Sequence, residues 1–138
     1  MPYSPMWVKP MREEVTEVGF KELWSPEDVD NFFANKTGSA LLFINSVCGI
    51  AAGIARPALR AAVTSKPAPD RWASVFAGQD LEATARARNY FPDIPPSSPS
   101  IALFKDGELV YFTPKHRIEG RDANGLANEL TEAFKAIL

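Results

Sequence analysis

The chain has 138 residues, a common length for one domain, and is long enough to bury roughly two-thirds of its unfolded surface without disulfide or metal staples. Hydrophobic residues make up 46% and charged residues 23%, a balance that excludes global disorder. A net charge of −2 leaves no electrostatic footprint for nucleic acid or anionic lipid, and a single cysteine with a single histidine excludes an internal disulfide and a cysteine-based metal cluster.

The first residues lack the basic segment and apolar run of a signal peptide. The longest apolar stretches, such as Ala40 to Ile44, fall far short of the ~20 residues a membrane span needs. The expectation is a soluble, cytoplasmic protein whose lone thiol is free.

Residues 1–10 hold three prolines and read as an extended N-terminal arm. Met11, Val15 and Val18 then share one helical face, with Gly19 as the C-cap. Ser25-Pro26-Glu27-Asp28 is a helix start: serine caps, proline fits the first turn, and the acids face the positive helix end. Val29, Phe32 and Phe33 form that helix's apolar stripe, and Gly38 closes the segment. The run Ser39 to Val47 is almost unbroken apolar and fits a central strand buried on both faces.

After Cys48-Gly49, the alanine-rich stretch Ile50 to Ser65 reads as one helix that Pro57 kinks. Trp72 to Ala77 is a second strand, Gly78 a turn, and Asp80 to Tyr90 a helix with Asp80 as N-cap. The segment Pro92 to Pro99 packs four prolines into eight residues and is loop. Ser100–Lys105 and Glu108–Thr113 flank Asp106-Gly107, a hairpin signal. Asp122 caps a last helix striped by Leu126, Leu130, Phe134 and Ile137. Strand–helix–strand followed by a hairpin implies a mixed sheet with helices on both faces. That order predicts one α/β domain over 1–138, a three-layer α/β/α sandwich resembling the thioredoxin fold, with a C-terminal β-hairpin plus helix.

Cys48 falls where the buried strand ends and a helix begins. Free backbone N–H groups and the helix dipole there favour an anion, and such termini lower a cysteine pKa from about 8.5 into the range of about 3.5–7.5. Gly49 keeps the thiol unhindered. The competing reading is a packed, inert cysteine, and the strand-to-helix junction outweighs it. Ser98-Pro99 stands before the next core strand, where a thioredoxin-like fold places a cis proline against the active cysteine and exposes backbone at residue 98 for an extended substrate. Asn45 and Arg56 are candidates for orienting a glycosidic or carboxylate-bearing thiol, against a reading as strand-end cap and surface charge. His116 reads as an exposed or structural histidine.

The stretch Asn45-Ser46-Val47-Cys48-Gly49-Ile50-Ala51-Ala52-Gly53-Ile54-Ala55-Arg56-Pro57 resembles the bacilliredoxin family. So do Val75-Phe76-Ala77-Gly78-Gln79-Asp80, Pro96-Ser97-Ser98-Pro99-Ser100 and His116-Arg117-Ile118-Glu119-Gly120, and the likeness runs from about Pro10 to Phe134. The resemblance implies a cytoplasmic bacterial thiol–disulfide oxidoreductase of redox homeostasis with no bound cofactor, using bacillithiol or another small thiol as co-substrate. Its implied partners are S-thiolated proteins and an external reductase, with no nucleic acid or membrane. The usual family motif is Cys-Gly-Cys with the first cysteine as nucleophile, and here the second position is Ile50. An internal dithiol cycle is therefore excluded, which leaves a monothiol route through Cys48. The alternatives are a non-catalytic redox sensor or thiol-binding module, or a disulfide isomerase. Ile50 also desolvates the thiol, which opposes the helix effect on its pKa.

Overall fold

A computed structural model describes residues 2–138. Its elements are α1 (Pro5–Thr16), β1 (Lys21–Glu22), α2 (Pro26–Ala34), β2 (Ser39–Asn45), a π-helical segment (Ala51–Ala55), α3 (Arg56–Ala62), β3 (Arg71–Phe76), α4 (Leu81–Arg88), β4 (Ser100–Lys105), β5 (Glu108–Thr113), α5 (Lys115–Ile118) and α6 (Ala123–Ile137). One five-stranded sheet runs in the order β1-β3-β2-β4-β5. The first three strands are mutually parallel, and β4 and β5 join antiparallel. This is the expected α/β sandwich. Among the described residues no helix is long and apolar enough to cross a membrane.

The strand β2 is central because both its faces are apolar. Leu41 and Phe43 point to the side covered by α1, α3 and α6, while Leu42 and Ile44 meet α2 and α4. All four are at most 1% exposed, and burial of each such side chain contributes about 1.5–3 kcal/mol. The caps are where local chemistry puts them. Ser25 Oγ accepts from the Asp28 N–H at 3.2 Å, and Asp122 Oδ1 accepts from the Gly125 N–H. Gly19, at φ +96°, lets the Phe20 N–H reach the Val15 carbonyl and the Gly19 N–H reach Thr16, so α1 closes in a Schellman turn. Asp106 and Gly107 both adopt positive φ in the tight turn of the β4–β5 hairpin.

Three expectations need correction. The arm over 1–10 is helical from Pro5; only residues 2–4 are non-helical, and Met1 lies outside the described residues. Pro5 occupies the first turn, where its missing N–H costs nothing, and the stripe Val8, Arg12 and Val15 buries the helix despite the interior Pro10. The helix expected as one kinked unit over residues 50–65 opens instead with a π-helical segment before Pro57, in which the Arg56 N–H bonds back to the Ala51 carbonyl, and α3 then ends at Ala62. Asp80 takes the N-cap position of α4, its carbonyl accepting from the Thr84 N–H, but its side chain makes no capping bond. Its carboxylate instead takes both Nη atoms of Arg12, at 2.8 and 2.9 Å. That long-range pair ties α1 to the turn after β3, and Arg12 also lies over the Trp24 ring at 4.0 Å. The two-residue strand β1 and the one-turn α5 were not anticipated; each is too short to show a periodic pattern.

Candidate active site

The C-terminal ends of β1, β3 and β2 share one edge of the sheet, since the three strands are parallel. Cys48 leaves β2 at that edge and caps the helix that begins at Gly49, its carbonyl accepting from the Ala52 N–H at 3.1 Å. The thiol is partly exposed. A Cβ at Gly49 would meet no atom within 4 Å, so the approach past this residue is open. Ile50 is half-buried and packs on the α1, α3 and α6 side.

Four groups act on the sulfur besides burial. Burial pushes the Cys48 thiol up, but the Ser46 hydroxyl, the backbone N–H groups of Ala51 and Ile50, and the charge of Lys115 pull it down. The second set wins, so the thiol ionises below the ordinary cysteine value. The opposition between desolvation and helix terminus is thereby resolved in favour of the thiolate. Ser46 Oγ lies 3.1 Å from Cys48 Sγ and 3.4 Å from the Cys48 nitrogen.

The Ser98–Pro99 bond is cis, and Pro99 is buried immediately before β4. Ser100 pairs with Ile44, which brings this bond to the same sheet edge as Cys48. The loop is pinned from two sides: Ser97 Oγ accepts from the Lys115 N–H, and the Ser97 carbonyl accepts from Ser100 Oγ. Since Ile101 pairs with Thr113, the end of β5 and Lys115 arrive at that edge too.

Asn45 and Arg56 are placed differently from the expectation. Both are 1% exposed, so neither the ligand-orienting role nor the surface-charge reading holds for Arg56. Arg56 Nη1 donates to Asn45 Oδ1 at 3.0 Å and to the Ser46 carbonyl at 2.8 Å, and its Nε faces Glu14 Oε1 at 3.1 Å. Asn45 Oδ1 in turn accepts from the Ser46 N–H at 2.9 Å, and Nδ2 reaches the Met11 carbonyl. The two side chains form a buried brace behind the Cys48 turn. His116 is exposed on α5, as expected of a lone loop histidine.

Sequence reasoning missed Ser46 and Lys115. Ser46 carries a signal, because a serine hydroxyl readily accepts from the backbone N–H two residues on, which sets Ser46 beside Cys48 at the helix start. Lys115 carries none, because only the hairpin's return brings it to Cys48.

Comparison with known proteins bears on what this arrangement is for. The family model described as Disulphide isomerase matches residues 3–137. A bacilliredoxin of Salinibacter ruber is 52% identical over 138 residues, covering 99% of this chain and 81% of the relative. A bacilliredoxin of Shouchella clausii is 49% identical over 132 residues, covering 96% of this chain and 91% of the relative. The chain belongs to the bacilliredoxin family. Solved structures extend the likeness in fold. Mitochondrial thioredoxin 3 of Saccharomyces cerevisiae, in its oxidized form, superposes with a TM-score of 0.60 at 17% identity, covering 90% of this chain and 99% of that one. A putative oxidoreductase with a thioredoxin fold gives the same TM-score and identity over 78% and 90%. The thioredoxin-like architecture is thus established for this bacilliredoxin-family chain, with Cys48 at the start of the helix that follows β2.

Proposed function

We propose that this chain is a thiol–disulfide oxidoreductase that removes bacillithiol or a similar small thiol from S-thiolated proteins by a monothiol mechanism through Cys48. The observation that carries the reading is the sulfur's setting: a partly exposed thiol at a helix start, with one hydroxyl and two backbone N–H groups directed at it. Membership in the bacilliredoxin family supports the substrate class, and the Ser98–Pro99 segment that enters β4 at the same edge supports an extended protein segment as the partner.

The chemistry is two successive exchanges. The Cys48 thiolate attacks the small-thiol sulfur of the protein mixed disulfide; the old S–S bond breaks and the protein cysteine leaves as thiolate. An external thiol or reductase then attacks the small-thiol sulfur on Cys48, takes it as a new disulfide and returns Cys48 to thiolate. Electrons for the cycle come from that external thiol. In this reading the protein works in the bacterial cytoplasm, without bound cofactor, nucleic acid or membrane.

A second reading is favoured by one specific residue. Ile50 stands where the usual family motif has its second cysteine, and a chain without that thiol can serve as a sensor capped once by a small thiol. Intact mass and turnover separate the two, using a bacillithiol-modified substrate protein with and without excess bacillithiol, beside Cys48→Ser. Many cycles of release with one bacillithiol on Cys48 support the enzyme. A single equivalent with no further release supports the sensor, and no Cys48 adduct removes Cys48 from the reaction.

A further inference from the structure

Ser46 is the one side chain among the described residues that hydrogen-bonds the Cys48 sulfur. The Cys48 N–H donates to the hydroxyl oxygen at 3.4 Å, and Sγ lies 3.1 Å from the same oxygen; either atom can donate while Cys48 is a thiol, but a thiolate has no proton, so the hydroxyl is then the donor. A thiolate accepts such a bond strongly, whereas a disulfide sulfur is neutral and a weak acceptor. The hydroxyl is also fixed in advance. Ser46 is 7% exposed, its N–H is held by Asn45 Oδ1, and its carbonyl is held by the buried Arg56 guanidinium. A donor held this way needs little reorganisation when charge appears on the sulfur.

We propose that Ser46 stabilises Cys48 as a leaving group in the second exchange, the step in which the small thiol is taken off the enzyme. The proposal rests on the thiol-exchange reading above. An external thiolate attacks the small-thiol sulfur of the Cys48 mixed disulfide, a new S–S bond forms, the old one breaks, and the electron pair departs on Cys48 Sγ. One thiolate enters and one leaves. In a Cys-Gly-Cys chain an internal thiol can drive this step, and Ile50 cannot. The rate then depends on how readily Cys48 departs, and a thiol of lower pKa departs faster. The Ser46 hydroxyl meets the charge as it forms.

The test compares wild type, Ser46→Ala and Ser46→Thr. Alkylation of Cys48 by iodoacetamide across pH gives its ionisation midpoint. Release of glutathione from a Cys48–glutathione disulfide by 2-mercaptoethanol, followed by intact mass, gives the leaving step. Ser46→Ala is expected to raise the midpoint by about one pH unit and slow release about threefold, and Ser46→Thr to restore both. Equal midpoints and release in Ser46→Ala and wild type overturn the assignment. So does a Ser46→Thr variant that melts like wild type yet reacts like Ser46→Ala. Failure of the exchange reading itself looks different, because the wild type would then take no mixed disulfide from oxidised glutathione at all.

Discussion

The Arg56 guanidinium sits 3.0 Å from Asn45 Oδ1, with both side chains closed off from solvent. A charge at that depth is tolerable because Nη1 is hydrogen-bonded to Asn45 and the Ser46 carbonyl and the Glu14 carboxylate balances it as an ion pair, although Nε itself makes no hydrogen bond. Arg56→Met keeps much of the apolar stem but strips those partners. It should cost about 2–4 kcal/mol of folding stability in urea titration. Since Arg56 is closed off from solvent, the relative rates with different small disulfides should stay as in wild type. A variant of normal stability but changed small-thiol preference would return Arg56 to the binding site.

The brace has a counterpart at the turn after β3, where the carboxylate of Asp80 receives Arg12 in a two-pronged pair. Both side chains are nearly buried, at 10% and 11% exposure, so removing one strands the other. Arg12→Met and Asp80→Ala should each cost about 3 kcal/mol, and the double variant should cost clearly less than the sum. Additive losses in that cycle would mean that the two groups act through other neighbours, with Glu22 and Trp24 the nearest for Arg12.

These two arginines mark the boundary of what the sequence discloses. The β2 strand, the Ser25 and Asp122 caps and the Asp106-Gly107 turn were legible, because each is decided by residues within a few positions of itself. Arg12 and Arg56 were not, because their partners lie 68, 11 and 10 residues away. Asp80 shows the conflict directly: a carboxylate before a helix fits a cap locally, and a long-range bidentate arginine outcompeted that bond. The start of α1 was hidden by prolines whose cost is small at the first helical turn and is offset by burial of Val8 at the interior. Cys48 itself was legible from position alone, while its brace needed the fold.

On the opposite face of the sheet, Asp30 joins α2 to α4. Its Oδ1 accepts from Arg86 Nε at 2.9 Å and from the Tyr90 hydroxyl at 2.7 Å, and its Oδ2 accepts from Arg86 Nη2 at 2.7 Å. The Arg86 hydrogen bonds, with that of Tyr90, lower its pKa from 3.8 to about 2. A carboxylate depressed in the folded state adds stability that is present above the unfolded value near 3.8 and is lost as pH falls through about 2. Carboxyl NMR titration should place the Asp30 midpoint near 2, and Arg86→Met should return it toward 3.8. An Asp30 midpoint near 3.8 in the wild type would mean that the pair is open in solution.

The position of Ile50 gives the sharpest test of how this chain departs from its family's usual motif. The Ile50 backbone N–H faces the Cys48 sulfur, so residue 50 sits two positions from its target in the same turn and its side chain has only to leave the core packing to reach it. Ile50→Cys should therefore convert a persistent Cys48–glutathione adduct into an internal disulfide, seen as loss of the glutathione mass and a protein two mass units below its reduced form. Glutathione release should then proceed without added thiol, whereas the wild type should hold its adduct until one is supplied. The exchange has a structural cost, since half-buried Ile50 packs against the core beside α3, and shortening it should cost about 1 kcal/mol. If Ile50→Cys keeps its adduct as long as the wild type does, residue 50 is held too far from the sulfur for the second-cysteine role, and the monothiol chemistry of this chain would follow from backbone geometry as much as from the missing thiol.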